Sequence, residues 1–322
     1  MRRVRYYEHG GPEVLRLEEA DVPTPGPGQA LVQVDAIGAN FVDTKFRAGG
    51  LGIFTRPLPG ELTGDVVGTV TAVGPDTTRV AVGDRVAALA DPAFAEYVLV
   101  DAEWSAPVPD GMTDTAASTL AMTAPVALRV LRTGHLGEGE TVLVHAAAGG
   151  IGHLAVQLAR LLGAGTVIAT ASSAAKLEFA RSLGADVAVD YTQPDWVDQV
   201  RAAVPGGVDV IADSIGGEIT QQGMQLLAPF GRTIVYGAAS GALADVRFVD
   251  LAPLKYAGGF SLLAWRAARP EQAREEMTEL AGYLRDGRLR VTLHGEYPMS
   301  ETAEVHRLLE DRGQIGRLIV RP

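Results

Sequence analysis

A glycine-rich turn joins two segments of contrasting character. Residues 141–146 form an apolar run typical of a buried strand, and residues 151–162 have the apolar spacing of a helix. Between them, Gly149 and Gly152 occupy two glycine positions of a G-x-G-x-x-G turn, while Ala147 replaces the first glycine. In this context Gly149 lets the backbone approach a pyrophosphate, and Gly152 lets the helix pack closely on the sheet. The turn, with Gly150 and Ile151, predicts a dinucleotide site; a plain strand-to-helix turn is the alternative.

The end of the next predicted strand, residues 166–171, indicates which dinucleotide is bound. NAD-selective sites place an acidic residue there to bind the ribose 2′-hydroxyl. Here Ser172, Ser173 and Lys176 follow the strand, and no acidic residue is present. Two hydroxyls and an ammonium group suit a 2′-phosphate, so the sequence predicts NADPH as the cofactor. Ser173 also suits a helix N-cap, with Lys176 as a solvent-facing residue of the first turn.

The elements around the turn predict an α/β protein of two parts. The 322 residues exceed what a single core usually accommodates, so two lobes are expected. From about residue 115, continuously apolar strands alternate with helices, which predicts a doubly wound parallel sheet. The preceding residues contain short strands and frequent Pro and Gly turns, typical of a small barrel or sandwich.

The composition excludes several classes of protein. The chain has no cysteine, which excludes disulfides, iron–sulfur clusters and Cys-ligated zinc. A net charge of −11 argues against a general nucleic-acid surface. No apolar run is long enough to span a membrane, and no apolar segment of a secretory signal follows the basic first residues. A cytoplasmic protein is therefore expected.

Several segments together resemble the zinc-free quinone oxidoreductases of the medium-chain dehydrogenase/reductase superfamily. They run nearly end to end and comprise residues 10–15, 38–44, 139–152, 183–186 and 190–191. The resemblance implies a GroES-like β-rich catalytic domain, formed by residues 1–118 and 264–322, and a Rossmann NADPH-binding domain at residues 119–263. It also implies a homodimer and an active site in a cleft between the domains.

The resemblance assigns further residues to the cofactor site. Ser173, Lys176 and Tyr191 match contacts to the adenosine phosphate, and Arg317 matches a basic position that reaches the cofactor. The positions beside the nicotinamide ribose are matched by Thr123 and Gly237.

Residues 212–216 look like a nucleophile elbow without its first glycine. We interpret Ser214 instead as a strand-end residue beside a bound cofactor.

The resemblance also locates a catalytic site without metal. Asn40 matches the position at which zinc-dependent relatives carry a Cys ligand, and residues 59–64 lack the His of the zinc motif. Glu61 and Asp65 are interpreted as loop residues. Relatives commonly carry tyrosines near positions 45 and 51, and this chain has none there.

Without a metal, hydride transfer favours a substrate that is already electron-poor, such as a quinone or an α,β-unsaturated carbonyl. Asn40 is expected to hydrogen-bond the substrate oxygen or the cofactor carboxamide. Asp43 either holds local structure or acts directly, and Lys45 or Arg47 either acts electrostatically or is a surface charge. The predicted function is therefore an NADPH:quinone reductase. The alternatives are an NADPH-dependent enoyl or alkenal reductase and a weakly catalytic NADPH-binding protein.

Overall fold

The computed structural model describes residues 1–50 and 55–322, which form two compact units. Unit 1 consists of Met1–Pro125 and Pro270–Pro322, and unit 2 consists of Val126–Arg269. The domain boundaries implied by the resemblance stay predictions. Among the described residues, no helix has both the length and the apolar character that a membrane span requires.

The strands are named in chain order. They are β1 (Arg2–Tyr6), β2 (Arg16–Glu19), β3 (Gln29–Gly38), β4 (Gly60–Glu61), β5 (Gly64–Val73), β6 (Arg85–Ala90), β7 (Tyr97–Asp101), β8 (Ala106–Pro107), β9 (Thr141–Val144), β10 (Thr166–Ala171), β11 (Val187–Asp190), β12 (Val208–Asp213), β13 (Leu227–Val235), β14 (Tyr256–Gly259), β15 (Leu293–Pro298) and β16 (Arg317–Arg321).

The α-helices are named in the same way. They are α1 (Phe41–Ala48), α2 (Asp114–Ala117), α3 (Thr123–Thr133), α4 (Gly152–Leu161), α5 (Ala174–Ser182), α6 (Trp196–Ala203), α7 (Gly217–Met224), α8 (Phe248–Leu251), α9 (Leu262–Ala268), α10 (Pro270–Arg285) and α11 (Thr302–Glu310).

Unit 1 contains a mixed sheet in which distant parts of the chain are neighbours. Its strand order is β15-β16-β3-β5-β6-β8, and β7 also pairs with β3. The antiparallel pairing of β16 with β3 sets Ile319 opposite Gly38, and the pairing of β3 with β5 sets Gly38 opposite Asp65. Asp65 therefore lies in a strand, and its interpretation as a loop residue is wrong; Glu61 likewise lies in β4. The register brings Asp65 and Arg317 to the two strands that flank β3, although 252 positions separate them in the sequence.

Unit 2 is built on a six-stranded parallel sheet with the order β11-β10-β9-β12-β13-β14. Its central strands are buried along their length, which explains their unbroken apolar sequence. The order is that of a doubly wound Rossmann sheet, and it confirms the predicted fold class for this part of the chain. The order reverses between β9 and β12, and ligands of such sheets bind outside the carboxyl ends of the strands at this point.

Candidate active site

The turn after β9 exposes backbone N–H groups at the reversal of the sheet. The predicted strand at residues 141–146 ends earlier, at Val144, because the turn already includes His145 and Ala146, and Ala146 has a φ of +50°. A Cβ at Gly152 would overlap the carbonyl oxygen of Ala146 and lie 2.8 Å from the Cα of Ala147. Only glycine therefore lets α4 begin this close to the turn.

The same turn fits a pyrophosphate. Among the described residues, no group accepts a hydrogen bond from the backbone N–H of Gly150, Ile151 or Gly152. These amides are at the N-terminus of α4, where the helix dipole adds positive potential. A free cluster of N–H groups beside a helix N-terminus is suited to bind a phosphate oxygen.

The other predicted cofactor residues of unit 2 follow the carboxyl ends of neighbouring parallel strands. Ser172, Ser173 and Lys176 come after β10, Tyr191 after β11, Ser214 after β12 and Gly237 after β13. They therefore lie along the same edge of the sheet as the turn after β9. The structure brings together on this edge all the residues of unit 2 that sequence analysis selected.

Ser173 is the N-cap residue of α5, but its side chain makes no capping hydrogen bond. Ser173 therefore stands at the predicted N-cap position, but its hydroxyl does not cap the helix. Tyr191 is half-buried, and its backbone N–H donates to Ala171 at the end of β10, at 3.2 Å. It also lines a cavity of about 340 Å³ beside Trp196, Gly216 and Gln222, which sequence analysis did not select.

Ser214 is held by the turn that leaves β12. The buried carboxylate of Asp213 accepts hydrogen bonds from the backbone N–H groups of Ile215 and Gly216, at 2.7 and 3.1 Å, and thereby fixes that turn. A Cβ at Gly237 would lie 2.7 Å from the carbonyl oxygen of Ser214, so the turns after β12 and β13 touch. Burial raises the pKa of Tyr236, and the Ser214 side chain opposes that rise. No described histidine hydrogen-bonds Ser214, so the structure does not support the elbow alternative.

In unit 1, three predicted residues meet around the buried carboxylate of Asp65. Arg317 forms an ion pair with Asp65 Oδ2, and Thr123 Oγ1 donates to the same oxygen at 3.1 Å. Asn40 receives a hydrogen bond from Arg317 Nη1 at Oδ1, at 2.8 Å, and its Nδ2 lies 3.5 Å from Asp65 Oδ2. Burial raises the pKa of Asp65, and the guanidinium of Arg317 opposes that rise. Arg317 is 2% exposed, so the guanidinium assigned to the cofactor by resemblance is engaged within this network.

Asp43 and Lys45 lie outside this network. The buried carboxylate of Asp43 accepts hydrogen bonds from the backbone N–H of Thr63 at 2.7 Å and from its hydroxyl at 3.0 Å. Burial raises the pKa of Asp43 to about 7. The ammonium of Lys45 lies 5.0 Å from the ring centroid of Phe41, and its pKa is lowered by burial and by Arg312.

Arg47, considered as a surface charge, is instead fully buried. It donates to the carbonyl of Gly10 at 3.1 Å, contacts His306 Nδ1 at 3.1 Å and forms an ion pair with Glu310. The surface alternative for Arg47 is therefore wrong. These contacts attach α1 to α11.

Sequence analysis missed the central role of Asp65, although two signals were present. Asn40 is the one asparagine among the 322 residues. Gly38 precedes it by two positions, and a Cβ there would lie 2.8 Å from Arg317 Nε and overlap the rest of the guanidinium. Only glycine at position 38 leaves room for the guanidinium of Arg317. Local sequence does not show, however, that the strand carrying Arg317 pairs with the strand carrying Gly38.

The architecture of the two units by itself indicates a class of protein. A parallel sheet with a phosphate-binding turn, joined in one chain to a β-rich unit that contains a buried polar cluster, is typical of two-domain dehydrogenases and reductases. The family model described as alcohol dehydrogenase GroES-like domain matches residues 26–110. The model described as zinc-binding dehydrogenase matches residues 150–281.

Known proteins match over the whole chain. A quinone oxidoreductase of Pseudomonas aeruginosa is 33% identical over 100% of this chain and 99% of its own length. A 2-haloacrylate reductase of a Burkholderia species is 35% identical over 98% of this chain and 97% of its own. The structure of mycobacterial Rv1454c complexed with NADPH has a TM-score of 0.93 and 34% identity, and both chains are covered completely. The chain belongs to the zinc-free quinone oxidoreductase family of medium-chain dehydrogenases/reductases.

The prediction of a catalytic site without a metal ion rests on the sequence. Within residues 1–50 and 55–322, no group of three or more His, Asp or Glu side chains is placed to hold a metal ion. The chain also has no cysteine, and the match of Asn40 to the position of a zinc-ligating Cys stays a prediction.

Proposed function

We propose that this protein is an NADPH-dependent oxidoreductase that reduces quinones. The observation that carries the proposal is the turn after β9, whose N–H groups at Gly150, Ile151 and Gly152 have no acceptor in residues 1–50 and 55–322 and lie where the sheet order reverses. The neighbouring Ser172, Ser173 and Lys176, with no acidic residue at that strand end, favour a phosphorylated ribose. The Pseudomonas quinone oxidoreductase and the NADPH complex of Rv1454c support the same assignment.

In this proposal the chain binds and orients the cofactor through unit 2. Gly150, Ile151 and Gly152 hold the pyrophosphate through their backbone N–H groups, and Lys176 neutralises the 2′-phosphate. The turns at Ser214 and Gly237 line the path from the adenosine end towards the nicotinamide end. NADPH, when bound, supplies the hydride.

Unit 1 contributes the polar groups that the substrate needs. As hydride reaches a quinone or an enone, negative charge develops on its carbonyl oxygen, and an aligned N–H donor stabilises that charge. Asn40 is the residue we assign to this role, because its Nδ2 carries a second hydrogen with no acceptor among the described residues. Hydride transfer to a quinone gives the hydroquinone anion, and solvent then supplies the proton to its oxygen, so that a quinone needs no dedicated acid.

Reduction of an α,β-unsaturated carbonyl is the second candidate. The Burkholderia relative is a 2-haloacrylate reductase, which favours this chemistry. Carbon is protonated in that reaction, and a positioned acid is therefore required. Asp43 has a pKa suited to proton exchange near neutrality, but it is fully buried and both its oxygens bond Thr63. The arrangement thus supports a positioning role for Asp43 and favours quinones.

A substrate panel separates the two candidates. Initial rates of NADPH oxidation are measured with small para- and ortho-quinones and, in parallel, with enones, alkenals and haloacrylates. We expect turnover of quinones to exceed that of the enone group. Turnover confined to the enone group would reject the quinone assignment, and tight NADPH binding without turnover of either group would support the weakly catalytic alternative.

Lys176→Ala tests the cofactor assignment. Loss of a charge-assisted phosphate contact is expected to weaken NADPH binding by about 1.5–3 kcal/mol and to leave NADH almost unchanged. The KM of each cofactor measures the effect. Arg181→Ala, in the last turn of the same helix, is the matched control because it removes the same charge away from the predicted phosphate. Equal losses for both cofactors in Lys176→Ala would reject the assignment.

The homodimer is also proposed, with β14 as its contact. This strand pairs with β13 on one side and with no described strand on the other. The helix that precedes it in the chain, α8, carries exposed apolar side chains, Phe248 at 81% and Val249 at 65% exposure. Unpaired strand edges and apolar patches both favour association. Light scattering should give twice the chain mass, and Phe248→Glu with Val249→Lys should reduce it to the chain mass; a monomeric wild-type protein would contradict the proposal.

A further inference from the structure

Asn40 occupies a helix N-cap without acting as one. It precedes α1 with extended backbone angles, φ −121° and ψ 140°, and its side chain makes no capping hydrogen bond. Asparagine is among the preferred N-cap residues because its oxygen accepts from the first turn of the helix. Here that oxygen accepts from Arg317 instead. The side chain has exchanged a stabilising local contact for a long-range one, which points to a function for its orientation.

Two charges of opposite sign define which way the Asn40 amide faces. Arg317 Nη1 donates to Oδ1, and the carboxylate of Asp65 lies next to Nδ2. The reverse orientation would set the amide NH₂ against a guanidinium, which has no lone pair to accept, and the amide oxygen against a carboxylate. We propose that Asp65 and Arg317 are a positioning pair that holds Asn40 with its amide N–H available to the substrate oxygen, an inference that rests on the proposed function.

The surroundings hold the pair itself. Arg317 Nη2 also donates to the carbonyl oxygen of Ser118 at 3.0 Å, and Thr123 donates to Asp65. Gly38 leaves the space that the guanidinium fills. The planar fork of arginine serves Asn40, Asp65 and Ser118 at once, which an ammonium group cannot do in one fixed geometry. Because the two charges neutralise each other, the pair orients the amide and adds no net charge to the site.

The one asparagine of the chain makes the orientation directly observable. In protein labelled with 15N-asparagine, the side-chain amide of Asn40 gives one pair of proton signals. In the wild type we expect two sharp, well-separated signals that exchange slowly with solvent. In the double variant Asp65→Thr/Arg317→Gln, which removes both charges without adding an asparagine, we expect exchange at least about 10-fold faster. Unchanged signals would overturn the proposal, whether or not the protein reduces quinones.

A kinetic cycle then tests whether the pair acts through Asn40. Asn40→Ala should lower kcat with a quinone by about 100-fold, as loss of one oxyanion donor does. The double variant should lower kcat by about 10-fold or more and change the Kd of NADPH by less than about 3-fold. Added to Asn40→Ala, it should lower kcat no further. Independent, multiplicative losses would overturn the proposal, as would a rise in the Kd of NADPH as the main effect.

Glu310→Gln is the matched control. It removes the negative charge of Glu310, which pairs with Arg47, a second buried arginine of unit 1. We expect it to destabilise the protein while the Asn40 signals and kcat stay as in the wild type. Loss of the Asn40 signals in this variant would show a general loosening of unit 1 and would also overturn the proposal. Absence of turnover in the wild type would instead reject the proposed function and leave the orientation result valid.

Discussion

The turn after β9 and the cluster around Asp65 contribute polar groups in opposite ways. The turn uses backbone N–H groups of consecutive residues, and its side chains are hydrogen, methyl or apolar groups. The cluster is built on the side chains of Asn40, Asp65, Thr123 and Arg317, which come from separate parts of the chain, and the carbonyl oxygen of Ser118 adds a backbone acceptor. A backbone site depends on which residues allow the backbone path, whereas a side-chain site depends on the register of strands distant in sequence.

This difference predicts different weaknesses. The cluster keeps two charges out of water, so that removal of one partner leaves the other uncompensated. The turn contains no charge, and it is damaged by added atoms rather than by lost ones. Substitutions that separate these two modes of failure therefore test the comparison.

The largest effect is expected for Asp65→Thr alone. It leaves the buried guanidinium of Arg317 without its counter-charge, which costs about 3–5 kcal/mol of unfolding free energy. Adding Arg317→Gln should restore part of the loss because the uncompensated charge is removed. Urea denaturation of both variants measures this, and a double variant less stable than the single one would contradict the ion-pair account.

Gly152→Ala should rank second. The new Cβ would overlap the carbonyl oxygen of Ala146, and α4 must move away from the turn. Overpacking of this kind costs as much as about 3 kcal/mol, and the displaced N–H groups should weaken NADPH binding. Gly282→Ala is the control, because a Cβ in that helix meets no atom within 4 Å and should be tolerated or stabilising. Calorimetry of NADPH binding together with thermal melting checks both variants.

Asp43→Asn probes the buried carboxyl that the cluster does not use. The pKa of Asp43 is raised from 3.8 to about 7 by burial, opposed by Thr63 and Arg56, and Asp91 adds to the rise. The folded state therefore holds a proton that the unfolded state has released, and stability falls as pH increases from about 4 to about 7. Compared with Asp43→Asn, the wild type should lose about 1.4 kcal/mol of unfolding free energy for each pH unit in that range. Above about pH 8 the difference between the two proteins should stay constant. Parallel stability curves from urea titrations at pH 5, 6 and 7 would reject the assignment.

The smallest effect is expected at Ala146. Its φ of +50° costs a residue with a Cβ about 1 kcal/mol relative to glycine. Ala146→Gly should therefore raise the unfolding free energy slightly and leave NADPH binding unchanged. Thermal melting and NADPH titration measure the two quantities, and a loss of stability would show that the turn is not strained there.

Sequence analysis succeeded where the determining contacts are local. The strand at residues 166–171 was predicted with the bounds that the structure has, since its apolar run reflects burial on both faces. The end of β9 was placed two residues too late, because nothing in an alanine shows that it adopts a positive φ. Asp65 was interpreted as a loop residue because its partner, Arg317, enters through the last strand of the chain.

The order of residues alone determined the parallel sheet, the turn that suits a phosphate and the preference for a phosphorylated ribose. Each of these depends on neighbours within a few positions and on the alternation of strands with helices. Tertiary structure alone decided that Asn40, Asp65 and Arg317 form one network, and that Asp43 and Lys45 lie outside it. The reason is that strand pairing fixes which distant side chains meet, and no short stretch of sequence contains that information.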